Sequence, residues 1–414
     1  MNKNILYLSL VQIFKFVIPI ITFPYLTRVL GVESFGYLAF ATALLSYSMI
    51  VCQYGFDLNA TSKIARIKDN NFKMDVYCSG IYSSKLVLFF ISLTICFLFL
   101  FLYDDLMLTK LSLCMLPMAL GTLLLPTWLF QGLEMMKELV FITLISRLLI
   151  IPFVFIYINS SQDLFLAGFL QALPFFISGV LSVIYIKNKN VFYFSLSKYK
   201  YVLVILKSGW DVFLTSLASS VYLTLIPIVI GVFHGPISVG YFNVADTIKK
   251  ICISFFTPIY QSVFPKVNSL IVNDKPKASE IVKRYFYISS ILALLGTAFV
   301  AFYVIEIIIL VSGSEFIPAR ETVLIMMVVV IVSVANNFFG IQSLIPTKNE
   351  KVLRKIVVAG ATLCLIMMGP VIYYFDYIGS AFLVLSVEAF VFVLLGLYHF
   401  RFNVGMIFDW GVKP

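Results

Sequence analysis

Eight ionisable side chains fall inside stretches that are otherwise apolar: Lys15, Lys85, Arg147, Asp246, Lys249, Lys250, Glu306 and Glu388. Asp57 and Asp211 stand near the ends of two more. Such groups are costly at the centre of a bilayer and normally face a bundle interior or an aqueous cavity. The interior set holds five cations and three acids, an excess of two positive charges. Arg grips a phosphate in a bidentate fork, and Lys meets it as a point charge. Lys15, Lys85, Arg147, Lys249 and Lys250 are therefore candidates for holding an anionic headgroup. Asp57, Asp211, Asp246, Glu306 and Glu388 are candidates for coupling to H+ or Na+. A competing structural reading stands beside several of these assignments. Asp246 precedes Lys249 and Lys250 by three and four residues, close enough on a helix to pair with either. Lys85 is near enough to a span end to snorkel, and Glu306 is near enough to reach water.

Spacing shows which faces these groups occupy. Ser9, Gln12, Lys15, Pro19 and Thr22 step by 3, 3, 4 and 3 residues. Asn243, Asp246, Lys250, Ser254, Thr257 and Gln261 step by 3, 4, 4, 3 and 4, and Asp211, Thr215, Ser219 and Tyr222 by 4, 4 and 3. Each set follows the helical period and marks one face. A polar stripe along a membrane helix must face protein or water, which makes Gln12, Asn243, Ser254 and Thr257 candidate lumen lining.

The elements carrying these stripes are legible from hydropathy. Of 414 residues, 61% are hydrophobic and 12% charged, against about 25% charged in a soluble domain. Spanning hydrocarbon takes about 20 apolar residues as helix. Twelve spans are predicted: 5–27, 35–57, 78–103, 107–130, 139–158, 163–186, 209–233, 238–265, 285–311, 318–345, 355–375 and 378–400. The first reads as a span and not as a cleaved signal, since no small-x-small site follows it. Of the 30 Lys and Arg, 22 lie in alternate gaps or at their edges, 3 in the remaining gaps or at their edges, and 5 deeper inside spans. Short basic loops stay cytoplasmic, so both termini are expected inside. The net charge of +10 is thus a topology signal and points to no nucleic-acid partner. Prolines such as Pro19 and Pro227 would kink spans and could act as hinges.

The two halves repeat. A shift of 204 residues places Gly31, Ser34, Gly36, Tyr37 and Ala41 on Gly235, Ser238, Gly240, Tyr241 and Ala245. The expected fold is an all-α polytopic membrane protein of two parallel six-helix lobes around a central cavity. The expected boundaries are 1–186 for the first lobe, 187–208 for a cytoplasmic linker, 209–400 for the second lobe and 401–414 for a tail. The linker alternates Lys with aromatics and suits an anionic leaflet surface. No phosphate-cradling G-x-x-x-x-G-K-[ST] loop is present, so no ATP site is expected. The six cysteines form no C-x-x-C and read as packing residues, so neither metal nor cofactor is expected. Loops of a few residues on the outer side leave no room for the catalytic groups of a membrane polymerase or glycosyltransferase, and no enzymatic activity is expected.

Residues 24–31 (PYLTRVLG) followed by Phe35, Gly36 and Tyr37 resemble the opening of the polysaccharide transporter family, which includes the Wzx-type O-antigen flippases of the MATE-like superfamily. Residues 54–57 (YGFD) with Ala60, Thr61 and Ala65 resemble the end of its second helix, 128–134 (WLFQGLE) the end of its fourth, and Gly240, Tyr241 and Ala245 its eighth. The resemblance implies a bacterial inner-membrane flippase. Its substrate would be an undecaprenyl-pyrophosphate-linked oligosaccharide, moved from the cytoplasmic to the periplasmic leaflet by alternating access. Membrane lipids and other polysaccharide-assembly membrane proteins would be its partners. A MATE-like drug or cation antiporter is the alternative, and it would want a net acidic cavity where this interior is net basic.

Overall fold

Backbone inside hydrocarbon must satisfy its own N–H and C=O groups, and this chain does so with helices. The computed structural model describes the backbone of residues 3–220, 224–271, 273–402, 404 and 406–407, with the side chains of that set apart from 3–20, 58, 211, 215, 216, 218 and 219. Among the described residues there is no strand, and nine helices are long and apolar enough to cross a membrane. The chain divides into two compact units, Met1–Ser220 and Val221–Pro414.

The first unit contains α1 (Lys3–Gln53), α2 (Phe56–Ile67), α3 (Asn71–Tyr103), α4 (Leu106–Cys114), α5 (Leu116–Leu124), α6 (Thr127–Gly132), α7 (Met136–Tyr157), α8 (Leu164–Asn188) and α9 (Tyr199–Ser220). The second contains α10 (Ile226–Ser254), α11 (Thr257–Leu270), α12 (Lys275–Phe302), α13 (Val304–Ser312), α14 (Arg320–Phe339), α15 (Ile341–Leu344) and α16 (Glu350–Phe402). Nine crossing helices stand where twelve spans were expected because three pairs of spans run together. They meet at single residues with non-helical backbone: Gly31 in α1, Gly235 in α10 and Asp376 in α16. Gly31 (φ 72, ψ 177) and Gly235 (φ 80, ψ −176) adopt the same conformation, one that is essentially reserved for glycine. The expected fourth span is divided into α4, α5 and α6, and the eighth is divided between α10 and α11. Pro227 lies in the first turn of α10, where a missing N–H leaves no helical bond unmade.

Side-chain bonds define the two ends of the first unit. At one end the Tyr25 hydroxyl donates to the Ile158 carbonyl at 2.6 Å, and Tyr37 donates to Asp105 at 3.1 Å. Asp105 also caps α4 by accepting from the Leu108 N–H at 2.9 Å. At the opposite end Asn59 donates to the Ser208 carbonyl at 3.1 Å, Thr61 donates to Gln131 at 3.3 Å, and the Lys63 ammonium sits 4.2 Å from the Tyr77 ring centroid. The alternate gaps rich in Lys and Arg within this unit are gathered at this second end.

Residues 191–198 cross that end as an extended strap. Backbone N–H groups of Tyr193, Ser195 and Ser197 donate to Asp75, Ser79 and Ser83 of α3 at 2.9, 3.0 and 3.0 Å. The registers fit, since four helical residues rise about 6.0 Å and two extended residues about 6.6 Å. The segment expected as a linker over 187–208 therefore comprises the end of α8, this strap and the start of α9.

In the second unit α10 packs on α14 and α16, and α12 packs on α14. Near Gly235, the His234 ring nitrogen Nε2 lies 2.7 Å from the Ile372 carbonyl, and Ser238 donates to Asp376 at 2.8 Å. Both breaks in this unit are thus tied together. At the far end Tyr398 donates to Asn349 at 3.2 Å, and Gln342 donates to the Tyr260 carbonyl at 3.3 Å.

Candidate functional site

The site begins where the fourth span breaks. The last turn of α5 ends at Leu125, and Pro126 then starts α6. A break in a membrane helix exposes carbonyls that must find donors. Two residues of α3, spaced one turn apart, supply them. The Lys85 ammonium donates to the carbonyls of Thr122 at 2.7 Å and Leu125 at 3.3 Å, while the Tyr82 hydroxyl donates to Leu124 at 3.1 Å. Lys85 is only 2% exposed. It does not snorkel, and its charge stays inside the unit.

A cavity of about 360 Å³ opens beside this break, within the usual size range of small-molecule sites. Its wall comes from α1 (Met49, Gln53), α5 and α6 (Gly121, Thr122, Leu125, Thr127, Gln131), α7 (Thr143, Leu144, Arg147) and α8 (Pro174, Phe175, Ser178). The close approach of α5 and α8 depends on glycine. A Cβ on Gly121 would lie 2.2 Å from the Phe175 backbone, and one on Gly179 would lie 2.8 Å from the Gly121 carbonyl oxygen.

Arg147 is half-buried in this wall and has no hydrogen-bond or ion-pair partner among the described residues. The hydroxyls around it are already committed as donors. Thr122 donates to Met118 at 3.0 Å, Thr143 to Leu139 at 2.8 Å and Ser178 to Phe175, also at 2.8 Å. Thr127 donates to the Asp57 carboxylate. These four hydroxyls offer a ligand only lone pairs, whereas Arg147 offers up to five N–H donors. Gln53 and Gln131 add amides. The wall is suited to a molecule that carries both an anion and hydroxyl donors.

The second unit holds a different cluster. Asp246 of α10 pairs with Lys249 and Lys250, each at 2.5 Å. Asp246 and Lys249 are buried, and the Lys250 side chain is 56% exposed. The internal pairing weighed from spacing is thus the arrangement found. Glu388 of α16 accepts from the Asn336 amide of α14 at 2.6 Å. Spacing gave Glu388 no partner, because Asn336 is 52 residues away in the chain. Glu306 is exposed in the first turn of α13. Asn243, Ser254 and Thr257 are half-buried, and Ser254 donates to its own helix at 2.6 Å. Lys15, Gln12 and Asp211 lie outside the residues whose side chains are described. Lining residues Gln53, Thr122, Thr127, Gln131 and Ser178 were not singled out from sequence. The available signal was Pro126, which interrupts a predicted span beside two of them.

The sequence matches the profile of the polysaccharide biosynthesis protein family over residues 1–271. This chain belongs to that family. A relative named "Putative O-antigen transporter" from Escherichia coli (strain K12) is 32% identical over 416 residues, covering 96% of each chain. Among solved structures, the lipid II flippase MurJ in an inward closed conformation superposes with a TM-score of 0.71 at 15% identity, over 95% of this chain and 87% of that one. An inward-facing multidrug resistance MATE transporter gives 0.70 at 13% identity, over 94% and 95%. At such identities these two show a shared fold. The family member described here carries that fold with Arg147 in the wall of its first-unit cavity.

Proposed function

We propose that this protein is a flippase for lipid-linked O-antigen or polysaccharide repeat units, working by alternating access in the bacterial inner membrane. The observation that carries the reading is Arg147, a cation without a partner among the described residues, in a cavity at a broken membrane helix. Broken helices mark substrate sites in membrane transporters. A glycosyl diphosphate headgroup matches the wall in both halves of its chemistry. The diphosphate takes the guanidinium fork, and sugar hydroxyls donate to the committed oxygens of Thr122, Thr143 and Ser178. The transport role named for the E. coli relative is consistent with this assignment. A drug or cation antiporter would want a net acidic cavity, and the ionisable side chain in this wall is a cation.

The basic end of the first unit faces the cytoplasm in this reading, with both termini inside. Lys15 and Lys250 remain candidate headgroup contacts, and Asp57, Asp211, Asp246 and Glu388 remain candidates for H+ or Na+ coupling. The test is a leaflet-resolved assay of a lipid-linked repeat unit in proteoliposomes, with and without a proton gradient. Movement by the wild-type protein and none by Arg147→Gln is the expected result. Equal movement by both removes Arg147 from the site.

A further inference from the structure

We infer that Lys85 sets the sign of the ligand that the first-unit cavity accepts, acting from behind the wall and without touching the ligand. The inference rests on the reading of this cavity as a headgroup site. Three formal charges surround the break. Arg147 lies in the wall. Asp57 stands behind it, hydrogen-bonded by the lining residue Thr127. Lys85 is fully enclosed and reaches the backs of Thr122 and Leu125, both lining residues. A fourth contribution is the C-terminal end of α5, whose carbonyls lack intrahelical partners and carry roughly half a negative charge.

The sum decides the ligand. Arg147 and Asp57 cancel. The end of α5 adds about half a negative charge and the start of α6, at the same break, about half a positive one, so the wall alone would be close to neutral. With Lys85 on those same carbonyls the balance turns positive, and a diphosphate is favoured. Lys85 is a positioning and sign-setting residue: it holds the broken backbone in place and makes the field inside the cavity positive. In a low-dielectric wall a unit charge acts over several ångströms with little screening.

Binding to the full-length protein in nanodiscs tests this, with farnesyl diphosphate as the anionic probe, farnesol as its neutral control and tetraphenylphosphonium as the cationic probe, all read by calorimetry. Lys85→Gln keeps an amide donor for the carbonyls and removes the charge. It is expected to weaken farnesyl diphosphate on the order of tenfold while leaving tetraphenylphosphonium unchanged or tighter. Asp57→Asn keeps an acceptor for Thr127 and should shift both affinities the opposite way. That arm stands even where Lys85→Gln fails to fold. Equal loss of both charged probes in Lys85→Gln would make Lys85 a prop only and overturn the inference. Unchanged affinities in Lys85→Gln and Asp57→Asn, with farnesyl diphosphate binding lost in Arg147→Gln, would overturn it while leaving the headgroup site intact. Wild-type binding of farnesyl diphosphate no tighter than farnesol would overturn the site itself.

Discussion

Arg147 and Lys85 are both cations inside the first unit, and their surroundings give them opposite duties. Arg147 has an open cavity in front of it and no partner among the described residues, so its removal should hardly disturb folding. Arg147→Ala is expected to change stability by under about 0.5 kcal/mol, the range of substitutions away from structural features. It should nonetheless abolish surface polysaccharide in a complementation assay. A thermal melt beside that assay checks both halves. Lys85→Met should do the reverse in the melt. It strips the buried Thr122 carbonyl and the part-buried Leu125 carbonyl of their donor, at about 1–3 kcal/mol for a buried one left unsatisfied. A clear fall in melting temperature is the expected reading, and no change would place another donor at Thr122 and Leu125. Sequence exposed both residues as unusual, since charge inside an apolar run is conspicuous. It could not separate them. The difference lies in where α5 breaks, and only the hydrogen bonds of Tyr82 and Lys85 show that.

At the scale of elements, breaks between spans were readable and breaks within a span were not. The expected gaps 28–34, 234–237 and 376–377 contain Gly31, Gly235 and Asp376, where the long helices bend, whereas the expected span 107–130 hid the break at Leu125 and Pro126 inside apolar sequence. The strap over 191–198 was hidden for another reason. Its order comes from Asp75, Ser79 and Ser83, more than 100 residues earlier in the chain. Each of these bonds contributes about 0.5–1.5 kcal/mol. Ser79→Ala combined with Ser83→Ala should free the strap, which carries Tyr193 and Phe194 at 69% and 52% exposure. Chymotrypsin should then cut within 191–198 much faster than in the wild type. Cutting at an unchanged rate would mean that Asp75 and the stacking of Phe192 on Tyr82, with ring centroids 5.8 Å apart, suffice.

For the whole molecule, alternate placement of Lys and Arg gave the strongest expectation, and the first unit gathers those residues at one end. Alkaline phosphatase fused after Lys189 should therefore be inactive, and fused after Ser160 it should be active. The opposite pattern would invert the proposed orientation. The expectation of an internal repeat rested on five paired positions, where glycine, serine, tyrosine and alanine recur with fixed spacing. What spacing could not convey is the backbone they encode. Gly31 and Gly235 share one conformation 204 residues apart, so each unit turns between its first two expected spans in the same way.

That conformation has an unusual corollary at Gly235. A Cβ built there meets no atom within 4 Å, so an L-alanine is opposed by backbone strain alone, about 1–3 kcal/mol. Reflection through the α-carbon turns φ 80, ψ −176 into ordinary extended territory. A D-alanine placed at this position by semisynthesis should be tolerated where its L-enantiomer is not, and a handedness test of that kind separates stereochemical demand from crowding.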